Sequence, residues 1–165
     1  TYISILFGFV YLAVIIDIYS RKIVGYAIGK TLSPELAITA LNIAIANRNT
    51  DKLIHHSDQG IQYTCKDYIK ILKDNGIRIS MSGKGNPYDN AFAESFIKTL
   101  KQEEVYLWQY ETYQDVIERI PYFILDVYNK KRLHSALGYR PPEEFESLLA
   151  ENASTESEKA KTLFV

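Results

Sequence analysis

Phe7–Ile16 reads FGFVYLAVII and Ile23–Ile28 reads IVGYAI, with Asp17-Ile18-Tyr19-Ser20 between the two runs. The first run alternates and then turns continuously apolar, and it is rich in β-branched and aromatic residues, as a strand packed on a core should be. The second run is of the same kind. The polar stretch between them carries Asp and Ser, which close turns through their own side chains, so the pair predicts a hairpin. Working outward, Thr1–Leu6 reads as the remnant of a preceding strand, Leu53–Ser57 (LIHHS) as a short strand, and Ile77–Met81 (IRISM) as an alternating one.

Helices fill the intervals. Ser33-Pro34-Glu35 supplies an N-cap, a proline in the first helical position and an acid in the first turn. Apolar residues follow at Leu36, Ala37, Ala40, Leu41, Ala44 and Ile45, the spacing of one helix face. Lys66–Asn75 predicts a helix with Tyr68, Ile69 and Leu72 inward, stopped at Asn75-Gly76. Asn86-Pro87 opens a long helix to about Glu104, whose inward stripe is Phe92, Ala93, Phe96, Ile97 and Leu100. Thr112–Lys131 predicts another, bent near Pro121, which has no N–H to donate to its own ladder. Pro141-Pro142-Glu143-Glu144 starts a short final helix. A hairpin feeding strands joined by helical crossovers predicts an α/β fold, a mixed five-stranded sheet flanked by helices, with its first strand truncated. Residues 1–150 form one expected domain, and 151–165 an expected polar flexible tail.

The 165 residues suffice for one compact domain, and 47% hydrophobic with 24% charged residues is the balance of an ordinary globular chain. No apolar run reaches the roughly 18 residues of a membrane span, so no membrane is expected. No export signal opens the chain, and the single Cys65 can form no internal disulfide, which together point to a cytoplasmic location. The chain starts at Thr1 and is expected to be a piece of a longer one. A net charge of −1 gives no sign of nucleic acid, so such a role must rest on local clusters. The concentrated basic segment is Lys130, Lys131, Arg132, His134 and Arg140. It reads either as a phosphate-contact patch or as a solvated surface near a helix end.

Two acids stand out. Asp58 follows the Leu53–Ser57 strand and precedes Gly60, and ligand sites of open α/β sheets gather at the carboxyl ends of strands. Alone, it reads more readily as a turn-forming Asp. Glu94 lies on the long helix, and Asn90, Glu94, Lys98 and Lys101 share one of its faces. Alone, this is an ordinary surface Glu–Lys arrangement. Thirty-five residues separate the two acids. His55 and His56 flank Asp58, but imidazole is a poor ligand for hard cations, so packing roles are expected. Asp17 belongs to the hairpin turn, with a structural role. Gln62 and Tyr63 are candidate DNA contacts, whereas Trp108 and Tyr110 are expected to pack.

Four segments, taken in order, carry a resemblance. Phe9–Tyr26 (FVYLAVIIDIYSRKIVGY), His56–Tyr63 (HSDQGIQY), Tyr88–Lys101 (YDNAFAESFIKTLK) and Asn129–Pro142 (NKKRLHSALGYRPP) resemble the motifs of DDE-type transposases of the insertion-sequence "three" family. That family is related to retroviral integrases and has a ribonuclease H-like fold. The resemblance spans Thr1 to about Ser147 and implies a DNA transposase core. Asp58 would be the second catalytic acid and Glu94 the third, both binding Mg²⁺, with Mn²⁺ as a substitute. Lys98, Lys101 and Asn90, with Lys131, Arg132 and His134, would touch DNA.

The implied chemistry is DNA cleavage by water, freeing a 3′-OH that then attacks a second DNA phosphate. Partners would be the element ends and target DNA, with a homo-oligomer assembled on them. The family's first acid stands two residues before a Thr-Tyr pair like Thr1-Tyr2. The chain as given is therefore expected to show little or no strand transfer. The alternative is an inactive DNA-binding or assembly remnant lacking that acid.

Overall fold

The computed structural model describes residues 1–83 and 91–162, with side chains described through 152. Three antiparallel strands come first: β1 (Tyr2–Ile5), β2 (Gly8–Ile16) and β3 (Ile23–Gly29), in the order β1-β2-β3. The hairpin turn closes as its composition predicts. Asp17 Oδ1 accepts from the backbone N–H of Tyr19 (2.9 Å) and of Ser20 (3.1 Å), and its other oxygen lies 3.2 Å from Arg48 Nε. Helix α1 (Pro34–Ala46) then lies across β2 and β3, burying Leu36, Ala37, Ala40, Leu41 and Ala44. Ser33 is at the N-cap position but makes no side-chain cap bond. Gly25 permits this close packing, because a Cβ there would stand 2.2 Å from the Ala40 carbonyl oxygen.

Strand β4 (Ile54–Ser57) pairs in parallel with β5 (Arg78–Met81), from Ile54 opposite Arg78 to Ser57 opposite Met81. The crossover between them holds α2 (Ile61–Thr64), a single turn absent from the sequence expectation, and α3 (Lys66–Asp74). All five expected strands form, within an α/β, ribonuclease H-like architecture. Their hydrogen bonding divides three plus two. Thr1, just before β1, continues its ladder by exchanging two 2.9 Å backbone bonds with Leu12. Val14 to Ile16 of β2 and Ile54 to Ser57 of β4 line a common cleft.

Beyond the sheet, α4 (Ala91–Leu100) buries Phe96 and Leu100 against the β1–β2–β3 sheet and the helices that follow. Phe92, expected inward, is instead 41% exposed, and the Arg21 guanidinium covers it with its carbon 3.9 Å from the ring centre. A π-helical stretch (Lys101–Val105) and a short α5 (Tyr106–Trp108) continue α4. The expected start of this helix at Asn86-Pro87, with the suggested Asn86–Asp89 cap and Asn90, lies outside the described residues.

The helix expected over Thr112–Lys131 is α6 (Tyr113–Tyr122) followed by a second π-helical stretch (Phe123–Tyr128). Thr112 and Asp115 form a reciprocal capping box at its start. Pro121 accounts for the change of winding: without an N–H it cannot complete the i→i−4 ladder, and a wider turn follows, with Asn129 N–H donating to Ile124 O at 3.1 Å. Helix α7 (Pro142–Thr162) runs well past Glu151, where the sequence suggests a loose tail. Its Ala, Glu and Lys content favours continued helix.

Candidate catalytic cleft

Asp58 follows the last residue of β4, where the strand gives way to the Gly60 turn. Its Oδ1 accepts the Gly60 N–H at 2.8 Å, which fixes the carboxylate by one oxygen and leaves Oδ2 for a ligand. Gly60 has little space to spare, since a Cβ would fall 2.8 Å from Asp58 Oδ1. The Thr1 ammonium feels both Asp58 and Lys101, so the start of β1, the end of β4 and the α4 extension converge here. Burial of that ammonium, with Lys101 nearby, lowers its pKa against the opposing pull of Asp58.

A cleft of about 450 Å³ opens beside Asp58. Val14, Ile15 and Ile16 line one wall, Ile54, His55, His56 and Ser57 another, and Phe92, Ala93 and Ile97 of α4 close it. Ile97 also borders a shallower hollow of about 330 Å³ that contains Glu94, Lys98, Lys101, Gln102 and Tyr106. Asp58 and Glu94 thus lie on two hollows separated by one residue of α4. Both are exposed. No ion pair among the described residues engages Asp58, Glu94, Lys98 or Lys101. Among the described residues no group of three or more His, Cys, Asp or Glu converges as a metal cluster would.

The histidines beside Asp58 are held as structural groups. His56 Nδ1 lies 2.9 Å from Ser80 Oγ and its Nε2 lies 3.0 Å from Ser82 Oγ, tying β4 to β5. His55 Nε2 lies 3.1 Å from the Tyr68 hydroxyl. Burial, with His56 adjacent, lowers the His55 pKa to about 4. Tyr63 is half-buried with its ring edge on Tyr68 (5.6 Å), and burial first, then Asp58, raises its pKa. Among the described residues, the two carboxylates therefore make no ion pair, while the imidazoles beside Asp58 are committed.

The basic segment behaves differently. Lys130 pairs with Asp126 at 2.9 Å, Arg132 holds Glu103 through Nη2 at 2.9 Å and Nε at 3.0 Å, and Arg140 reaches Glu144 at 3.5 Å. His134 stacks edge-on against Tyr128 (5.0 Å), and burial with Arg132 and Arg21 nearby lowers its pKa to about 4. Lys131 has no carboxylate partner among the described residues; its ammonium lies 5.9 Å from the Tyr122 ring centre. None of Lys131, Arg132 and His134 lines either hollow described above.

Composition and spacing carry no sign of two further groups. Asn129 is buried, and its amide accepts from Ile23 N–H and donates to Ile23 O, both at 3.0 Å. Its carbonyl also accepts from Glu143 N–H at 3.0 Å, so it joins β3 to α7. Glu104 is buried as well, accepting from Tyr110 and from Arg119, each at 2.7 Å. Arg119 in turn lies on the Trp108 ring (3.4 Å), whose other face leaves the residue 55% exposed. In the sequence Asn129 opens the Asn129–Pro142 segment with nothing to mark it as buried, and Glu104 is one more acid in a helical stretch.

The chain is similar to known proteins. Residues 1–87 match one family model described as an integrase core domain, and residues 75–142 match a second of the same description. The chain is 44% identical over 88% of its length to a transposase for insertion sequence element IS904 from Lactococcus lactis, covering 58% of that protein. It is 37% identical over 89% of its length to the transposase InsF for insertion sequence IS3A from Escherichia coli, covering 51% of it. The chain thus spans about half the length of the curated relatives it matches.

Among solved structures, the catalytic core domain of BIV integrase superposes with a TM-score of 0.64 at 18% identity, over 94% of this chain and 95% of that one. The HTLV-2 integrase catalytic core domain, in complex with magnesium in a trimeric form, does so with 0.62 at 15% identity, over 88% and 90%. At those identities the structural likeness bears on the fold.

Proposed function

Because the chain belongs to the integrase core domain family, we propose that it is the catalytic core of an insertion-sequence transposase that cleaves DNA and transfers the resulting strand. The observation that carries this reading is the pair of carboxylates, Asp58 and Glu94, on two hollows that share Ile97, with no ion pair among the described residues. Carboxylates that make no ion pair within the described residues suit a hard divalent ion, which takes oxygen ligands. Mg²⁺ is the proposed ion, with Mn²⁺ as a substitute, and Asp58 and Glu94 would hold it. When bound, such ions polarise a phosphodiester and stabilise the attacking and leaving oxygens of an in-line displacement.

The protein's own part is placement. The Gly60 N–H holds one Asp58 oxygen so that the other is left to the ion. The apolar wall of Val14, Ile15, Ile97 and Phe92 limits water around the reacting phosphate. Lys98 and Lys101, with no carboxylate partner among the described residues, would hold the phosphates on either side. Lys131 is a further proposed DNA contact. Arg132 and His134, expected as DNA contacts, are assigned to holding the 129–140 loop, because Glu103 and the Tyr128 ring already engage them.

A third carboxylate has a defined place in this reading. Continuing the β1–β2 register past Thr1 and Leu12 sets the residue two positions before Thr1 opposite Val14, on the wall of the cleft that holds Asp58. An Asp there would complete the metal-binding set. The test compares the 165-residue chain with one extended upstream through that strand, assaying nicking and joining of a DNA end with Mg²⁺ or Mn²⁺. The extended chain is expected to act and the shorter one to show little strand transfer. Full activity of the shorter chain would refute this account of the third acid; inactivity of both, with DNA binding retained, favours an assembly module instead. Assembly as a homo-oligomer on paired DNA ends belongs to the same proposal. Among the described residues, no helix is long and apolar enough to cross a membrane.

A further inference from the structure

The face of α4 that carries Glu94 does not end with the α-helix. At Lys101 the winding changes, and the Tyr106 backbone N–H donates to the Lys101 carbonyl, five residues back. In an α-helix those two side chains would stand about 140° apart around the axis. The π turn instead sets Tyr106 over Lys101, extending the row Glu94, Lys98, Lys101 by one aromatic ring. Widened turns of this kind recur where a helix must aim a side chain at a ligand.

Tyr106 is 64% exposed, and it shares the 330 Å³ hollow with Glu94, Lys98, Lys101 and Gln102. No ring or hydrogen-bond partner engages its side chain among the described residues. The lysines beside it also lack carboxylates there, and the Lys101 ammonium lies 5.1 Å from the centre of the Tyr2 ring. A free ring next to two ammonium groups that pair with no carboxylate among the described residues matches the two chemistries of a nucleotide, a flat base and a charged phosphate. A protein side chain would satisfy only one of them.

We propose that Tyr106 is a base-stacking residue, which takes an unpaired nucleotide of the DNA strand whose phosphates lie on Lys98 and Lys101. The inference rests on the DNA-cleaving reading above and specifies the form of DNA that the Glu94 side of the site receives: an end with its terminal bases unpaired. Duplex DNA, whose bases are stacked on one another, would meet the lysines but not the ring.

The test measures binding of the 165-residue chain to a blunt duplex and to the same duplex with two unpaired terminal nucleotides, one of them 2-aminopurine. The wild type is expected to prefer the unpaired end and to change the 2-aminopurine emission. Tyr106→Phe, which keeps the ring, should behave like the wild type. Tyr106→Leu, apolar but unable to stack, should bind the unpaired end about 5- to 150-fold more weakly, the range for one stacked base. Its blunt-duplex affinity and salt dependence should stay unchanged, because every phosphate-binding lysine is still in place.

Three results overturn the inference: Tyr106→Leu keeps the preference; it weakens both DNAs alike; or it alters only self-association in sedimentation, which would make the ring a contact between copies. A wild type that binds neither DNA sinks the underlying DNA reading itself, a distinct outcome.

Discussion

Two basic regions of this molecule differ in how far folding compensates their charge. Lys98 and Lys101 stand beside Glu94 with no carboxylate partner among the described residues. In the 130–140 segment, which is denser in cations, Lys130, Arg132 and Arg140 each meet an acid of the same chain. A sequence displays charge density, whereas binding depends on charge left uncompensated. The same contrast applies to polar residues generally. Asp58 and Glu94 are exposed, while Asn129 and Glu104 are buried and hydrogen-bonded within the fold.

That contrast can be broken experimentally, and the largest effect is expected at the carboxylates. In a chain extended through the strand before Thr1, Asp58→Asn or Glu94→Gln should lower DNA cleavage by at least about 100-fold, since losing even an outer partner of a metal ligand costs up to that much. Thermal stability should be unchanged, because neither carboxylate is buried. A variant that melts early would show these groups to be structural.

The opposite pattern is expected for Asn129. Asn129→Leu strands the Ile23 N–H and carbonyl in a buried position, at a cost of about 1–3 kcal/mol for each group left unpaired. Urea unfolding would measure it. An unchanged midpoint would mean that β3 and α7 do not depend on this junction.

Salt dependence separates the two basic regions most directly. Lys98→Ala with Lys101→Ala should reduce the slope of log affinity against log salt by about 2 units, roughly 0.9 for each phosphate no longer neutralised. Lys130→Ala should leave the slope alone, because Asp126 already compensates that ammonium. Equal slopes for the two variants would erase the distinction drawn between the regions.

The smallest effect is a pH dependence of stability. His55 and His134 both have folded pKa values lowered to about 4, chiefly by burial. Below the ordinary histidine value near 6.5 the unfolded chain binds the extra proton and the folded chain does not, so stability rises with pH across this window. It should be complete above about pH 6.5 and lost progressively as the pH falls toward 4. Urea midpoints at pH 7 and pH 4.5 test this, and His55→Gln should shrink the difference.

Much of the candidate site is legible in the sequence because its signals are local. The HSDQGIQY run marks a strand end with a Gly turn, and Asp58 lies there. The spacing of Glu94, Lys98 and Lys101 marks one helix face, and the three share one hollow. Expectation and structure part where the winding or packing is non-local. Phe92 fits the apolar stripe of α4 but lies at its edge, where Arg21 from the distant hairpin turn covers it. Tyr106 falls out of phase with the α-helical period and is restored to the Glu94 face only by the π turn. A one-dimensional period cannot carry a change of winding that packing imposes.

The sequence by itself determined the elements and the family: strands where β-branched and aromatic residues cluster, helices where apolar residues recur every three to four positions, and two acids in motif contexts. Each of these follows from backbone geometry acting over a few residues. Which charges stay free was decided only by tertiary structure. A lysine is available or neutralised according to the acid that folding brings beside it, and Arg132 meets Glu103 from 29 residues away. The same holds for the cleft at Asp58, whose walls belong to β2, β4 and α4 and meet only in the folded chain.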